Sequence, residues 1–201
     1  MALTAACSTP NETGSASKAY PPEFTRMSFA EGSIHLVPPA GFCIDPQMTG
    51  HRSEGGFAIL VPCNSLSLDD AAEQSFAERQ RASRNRALIT VAVGPADAPT
   101  AALTGDEILA NAPGAKLLQT REDLMLPLVK LDMPSHRARG ASPTHWRGAF
   151  VLNEQLVAVA LYAPQRSRNL GNRGAMLLNE LTAKTLEASV TADLPTSPEQ
   201  N

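Results

Sequence analysis

Two cysteines sit in short strand-like apolar runs, and their placement constrains the fold more than any other feature of the chain. Cys43 lies within Ala40-Gly41-Phe42-Cys43-Ile44-Asp45, and Cys63 ends Gly56-Phe57-Ala58-Ile59-Leu60-Val61-Pro62-Cys63. A polar, turn-prone segment, residues 49–56, separates them. Two strands joined by a short connection are usually neighbours. A Cys43–Cys63 cross-link is therefore expected, closing a loop of about 20 residues worth roughly 3 kcal/mol by chain-entropy arithmetic. The alternative is a pair of buried free thiols, as in many cytosolic proteins. The three cysteines form no CxxC and no Cys/His cluster, and the sequence contains no HExxH. Neither a metal site nor a cofactor is expected.

The third cysteine bears on compartment. Cys7 follows Leu3-Thr4-Ala5-Ala6 and precedes a polar, small-residue stretch at 8–19. The pattern resembles a bacterial lipobox followed by a tether, with Thr4 where an aliphatic residue is usual. Six residues before Cys7 are too few for a charged region plus an apolar region of a signal peptide. The expectation is a chain that begins inside a longer precursor and is lipid-anchored at Cys7 on the periplasmic side of the cell envelope. A stretch like 8–19 cannot build a core, and an ordinary terminal tail would look the same.

The rest of the sequence reads as one α+β domain. At 201 residues and 43% hydrophobic content, there is room for one domain over 28–190 plus tails at 1–27 and 191–201. Strands are expected at 33–37, 42–44, 57–61, 87–93, 116–119 and 124–133, and as a hairpin over 145–152 and 156–162 around Asn153-Glu154-Gln155. Pro127 argues for an edge or a bulge in the strand at 124–133. Helices are expected at 71–85, at 105–110 after Thr104, and at 174–190, where Leu177, Leu178, Leu181, Thr185 and Ala188 share a face. The sum is a largely antiparallel sheet of about six or seven strands, with two shorter helices and a long C-terminal helix packed on it.

This order of elements across 34–190 resembles the Mog1/PsbP-like α/β/α sandwich. The segments Gly41 to Asp45, Leu60 to Cys63 and Trp146-Arg147 also resemble a family of uncharacterised bacterial cell-envelope proteins. That resemblance implies location and fold and carries no activity.

No motif specifies a reaction. There is no GxSxG elbow and no phosphate-binding loop, and Gly55-Gly56 precedes a strand rather than a helix. His136, His145 and Asp132 flank one loop and are the best candidates for an acid, a base and an orienting group. Spacing alone does not bring them together, so a periplasmic hydrolase is the rival reading, and a cytosolic interaction domain with free thiols is a second. The segment His136 to Arg173 holds six arginines (Arg137, Arg139, Arg147, Arg166, Arg168 and Arg173) against one acid, Glu154, in a chain of net charge −3. Arginine forks suit carboxylates and phosphates, so an anion-binding patch is expected. Nucleic acid is not, because aromatics are only 4% of the chain and bases would find little to stack on. The function expected is non-catalytic binding or assembly in the envelope. Its partners would be the membrane surface through the lipid anchor, and an envelope protein or an anionic ligand. The longest apolar runs are about eight residues, short of the roughly 20 a membrane-crossing helix needs. Trp146 alternates with Phe150 and Leu152 and reads as core.

Overall fold

The structure is a computed structural model that describes residues 20–52, 54–66, 86–96, 102–134 and 140–192. The helix expected at 71–85 lies outside the described residues, as do Cys7, His136, Arg137 and Arg139.

The organising element is the hairpin of β9 (Thr144–Leu152) and β10 (Gln155–Tyr162), paired antiparallel from Leu152↔Gln155 to Trp146↔Leu161. Its loop has two residues, not three. Asn153 and Glu154 take φ of 49° and 61°. Two consecutive left-handed residues match the right-handed twist of the strands they join, and Asn tolerates this conformation better than most side chains. The Asn153 amide donates to Ser33 O at 2.9 Å, fastening the turn to the N-terminal part of the chain.

Around this hairpin the strands run in the order β3 (Phe42–Ile44), β5 (Gly55–Pro62), β6 (Leu88–Pro95), β10, β9, β8 (Leu128–Asp132), β7 (Lys116–Arg121). β4 (Gly50–Arg52) also pairs with β5, completing an eight-stranded sheet whose pairings are all antiparallel. A second sheet joins β1 (Met27–Phe29) to β2 (Ile34–Leu36). The fold class is α+β, as expected. The extra strands, β1 and β4, have three residues each, too few for an alternating pattern to show. β1, and α1 (Pro22–Thr25) before it, extend the fold ahead of the boundary expected near Ser28. Pro127 falls just before β8 and costs the ladder no hydrogen bond. β8 is therefore an interior strand, and the irregularity lies in its neighbour β7, between Leu117 and Gln119.

Side chains alternate across the sheet and divide it into two faces. On one face Leu60, Ile89, Val91, Trp146, Phe150, Val159 and Leu161 pack with β1, β2 and α3 (Asn172–Ala192) in the main core. Leu178 and Leu181 of α3 are buried there as expected, while Ala188 is only half-buried. The buried hydroxyls on the same helix have a task. Ser189 Oγ accepts from His35 N at 2.9 Å and Thr185 Oγ1 from Val37 N at 3.4 Å, so the helix satisfies the free edge of β2. On the other face α2 (Gly105–Ala110) covers Val129, Leu131 and Met133 with Ile108. Ala102 pairs with Phe150, and Leu103 N donates to Ala149 O at 3.0 Å. This leads the chain into Thr104, which caps α2 reciprocally with Glu107: Thr104 N to Glu107 Oε2 is 2.7 Å, and Glu107 N to Thr104 Oγ1 is 3.3 Å.

Candidate ligand-binding site

Among the described residues, the face that carries α2 is only partly covered. Strand register arranges its central side chains in rows that cross the sheet. Phe57, Ala92, Ala158 and Ala149 are successive cross-strand neighbours on β5, β6, β10 and β9. The next row is Ile59, Thr90, Ala160 and Arg147. Leu156 and Val151 bound these two rows on one side, and Tyr162 stands on the other. Alanines at four adjacent positions leave space that larger residues would fill. The result is a trough of about 600 Å³, with Leu103, Glu107, Ile108 and Asn111 at the α2 end. That volume lies within the range of small-molecule pockets.

Arg147 is the charged group that stands out. It is half-buried on β9, lines the trough, and has no ion-pair partner among the described residues. Other cations are engaged: Arg121 with Asp123 at 2.6 Å, Lys184 with Glu180 at 2.8 Å, and Lys130 over the Trp146 ring at 5.7 Å. Glu107 at the same rim is held by its cap. The backbone and then the side-chain hydrogen bonds of Thr104 lower its pKa, and it stays a carboxylate.

Of the three candidates for the rival catalytic reading, the two described ones, His145 and Asp132, are not brought together. His145 is in strand β9, as the expected hairpin has it, and it is buried, 1% exposed. Its ring stacks on Tyr162 with centroids 4.8 Å apart. Nδ1 lies 3.1 Å from Pro143 O. A carbonyl only accepts, so Nδ1 carries the proton and Nε2 is a bare acceptor, with no hydrogen-bond partner. Asp132 pairs with Thr144 while His145 pairs with Leu131. The two candidate side chains therefore leave opposite faces of the sheet, and Asp132 acts on His145 only through space. Burial lowers the His145 pKa most; the Pro143 carbonyl raises it, Arg147 lowers it and Asp132 raises it.

A pH dependence follows. The unfolded imidazole titrates near 6.5, and the folded one titrates lower. The unfolded state thus binds more protons as the pH falls, and stability that is complete above about 6.5 is lost below it. In His145→Phe, which keeps the stack on Tyr162, this acid-side loss should be absent. The lone pair left unpaired at Nε2 costs on the order of 1 kcal/mol, so the variant should be at least as stable as wild type at pH 8. Urea midpoints measured between pH 8 and pH 5 check this; parallel curves for the two proteins would count against it.

The arginines are likewise divided. Trp146 Nε1 donates to Leu170 O and Gly171 O, each at 3.2 Å, which places the turn Arg168–Leu170 and the start of α3 on the Trp146 side. Arg166, Arg168 and Arg173 are exposed. Arg147, next in sequence to Trp146, points to the opposite face. The single patch expected from the sequence is not formed by these four. Arg173 instead lines a second cavity, of about 720 Å³, with Lys184 and the cysteine pair.

Cys43 and Cys63 form a disulfide with Cα atoms 4.8 Å apart. Cys43 pairs with Val61, and Cys63 N donates to Gly41 O at 3.0 Å, so the bond joins β3 to the end of β5. Among the described residues no three His, Cys, Asp or Glu side chains are grouped to hold a metal, and no helix is long and apolar enough to cross a membrane.

The run of arginines along the sequence does not predict the spatial neighbours of Arg147, which are the alanines of β6, β9 and β10. A legible signal existed in the alternation Val157-Ala158-Val159-Ala160-Leu161, where every second residue is small. No protein-family model, curated protein or solved structure matches the chain.

Proposed function

We propose that this chain is a non-catalytic binding domain of the bacterial cell envelope, tethered to the membrane through a lipid on Cys7, with its ligand in the trough beside α2. The carrying observation is Arg147, a half-buried guanidinium without an ion-pair partner among the described residues that lines a cavity floored by alanines. Such a cation suits a ligand that is mostly apolar and carries one anionic group. The Cys43–Cys63 bond supports the compartment, because structural disulfides persist where the surroundings are oxidising. The Mog1/PsbP-like assignment belongs to the same proposal. It rests on the layering of α3 and α2 on opposite faces of one antiparallel sheet.

Two measurements test it. Labelled fatty acid should enter the protein when it is expressed from its native reading frame, and Cys7→Ser should abolish the label. Native mass spectrometry of protein recovered from the envelope should show a co-purifying anionic small molecule. That molecule should be missing from Ala158→Leu, which fills the middle of the trough. Equal ligand content in the two proteins, or none in either, would refute the trough as the binding site.

A further inference from the structure

With Arg147 on the opposite face, Arg166, Arg168 and Arg173 form a group of their own. Consecutive turns wind residues 164–174: Ser167 N donates to Pro164 O at 3.0 Å, Leu170 N to Ser167 O at 3.2 Å, Gly171 N to Arg168 O at 3.1 Å, and Gly174 N to Gly171 O at 3.1 Å. At roughly 2 Å per residue in turns this tight, the stretch from Arg166 to Arg173 spans about 14 Å. Ser167 and Asn169 are buried and anchor it, while the three arginines face water. Among the described residues the ion pairs are Arg121–Asp123 and Lys184–Glu180, so these three have no acidic partner there. Two of them occupy positions that folding alone disfavours. Arg166 has φ of 68° at the third position of the turn 164–167, where a type II turn takes glycine. Arg173 is in the first turn of α3, which holds no acid, at the end where the helix dipole favours anions. Exposed apolar groups adjoin them. Met176 follows Arg173 by three positions on α3, so the two side chains are neighbours, and it is 49% exposed. Met125 is 62% exposed, and its N–H donates to Asn179 Oδ1 at 2.9 Å, one turn along from Met176. Tyr20, the first described residue, lines the same cavity as Arg173. Cys7 is only thirteen positions earlier, at most about 45 Å from Tyr20.

Resting on the reading of the chain as lipid-tethered at Cys7, we propose that Arg166, Arg168 and Arg173, together with Met176 and Met125, dock the domain on the anionic phospholipid surface that holds its tether. Arginine forks match phosphate oxygens, and the methionines supply flexible apolar groups for the boundary beneath the headgroups. The tether favours a bilayer over an acidic protein, because it brings the Tyr20 side of the domain to a membrane.

The full chain carrying Cys7→Ser, and so without lipid, is cosedimented with vesicles of phosphatidylcholine alone and of phosphatidylcholine with an equal part of phosphatidylglycerol. Partition onto the second is expected, falling as salt rises. A cation near such a surface contributes about fivefold, so Arg168→Gln/Arg173→Gln should lose at least tenfold. Arg52→Gln/Lys116→Gln makes the same change in net charge at exposed positions elsewhere and should bind as the parent does. Arg166→Gly should bind about fivefold less and yet melt at a higher temperature, since glycine relieves the left-handed turn. Met176→Ser should bind more weakly than the parent while its melting curve stays cooperative. Equal partition onto the two vesicle types, or equal losses in the two double variants, overturns the proposal. So does displacement by poly-glutamate as effective as that by phosphatidylglycerol vesicles at matched charge, which would mark a contact for an acidic protein. If lipid enters at Cys7 but the anionic preference is missing, the tether stands and this surface falls. If the preference is present and no lipid enters, the surface stands and the tether reading falls.

Discussion

Trp146→Ala should destabilise the domain by about 3–5 kcal/mol, the cost typical of removing a fully buried Trp or Phe. Trp146 is completely buried, in the main core with Phe150, Leu161 and Leu178. Its indole also binds together two parts of the chain that are far apart in sequence. Nε1 donates to both Leu170 O and Gly171 O, which fixes the approach to α3. Gly174, in the first turn of that helix, lies against the ring: a Cβ there would sit 3.1 Å from Trp146 Cδ1. Truncation removes the ring and leaves a cavity beneath the helix. Trp146→Phe should keep most of the buried area but leave the two carbonyls without their donor, a smaller loss of about 1–2 kcal/mol. Domains of this size are stable by about 5–15 kcal/mol, so the alanine variant would spend a large part of the whole. Urea unfolding followed by far-UV circular dichroism gives the comparison, since the variants lack the native fluorophore. A loss below about 1 kcal/mol in Trp146→Ala would contradict the packing described.

Loss of the disulfide should cost about 3 kcal/mol, from a sequence separation of 20 between its ends. Here the bond does more than restrict the unfolded chain. β3 has only three residues, paired with Pro62, Val61 and Leu60 of β5 at the rim of the sheet. A ladder that short holds weakly by itself, and the cross-link pins it. Cys43→Ala, Cys63→Ala and the double variant should therefore lose similar amounts, because each removes the same bond; near-additive losses would show that side-chain packing, rather than the link, is what matters. Hydrogen exchange at Cys43 and Ile44 amides should accelerate in all three, ahead of any change in β9 and β10.

The sequence carried the local structure well where side chains alternate over five or more residues. β5, β6, β9, β10 and α3 fall where the periodicity put them, and Thr104 starts α2 with the cap its sequence shows. The misses share a cause. β1 and β4 are three residues long, and the hairpin loop holds two left-handed residues, of which Glu154 carries no turn signal. Pro127 signals neither an edge nor a bulge in β8, because it precedes that strand, which has partners on both sides. His145 stands at the start of β9, within one residue of the expected strand, but which face of the sheet it takes was not legible.

What the amino acids determined by themselves is the longer strands and the C-terminal helix, the antiparallel class and the cysteine pairing, because each depends on periodicity, turn chemistry or short-range proximity along the chain. What only the tertiary structure decided is which side chains share a face. His145 and Asp132 are separated by the alternation of paired strands, and Arg147 is parted from Arg168 and Arg173 by the thickness of a sheet. Arg147 joins Ala92, Ala158 and Thr90 instead, the last of them 57 positions away along the chain. Cross-strand register creates that neighbourhood, and register is set by the packing of the whole sheet.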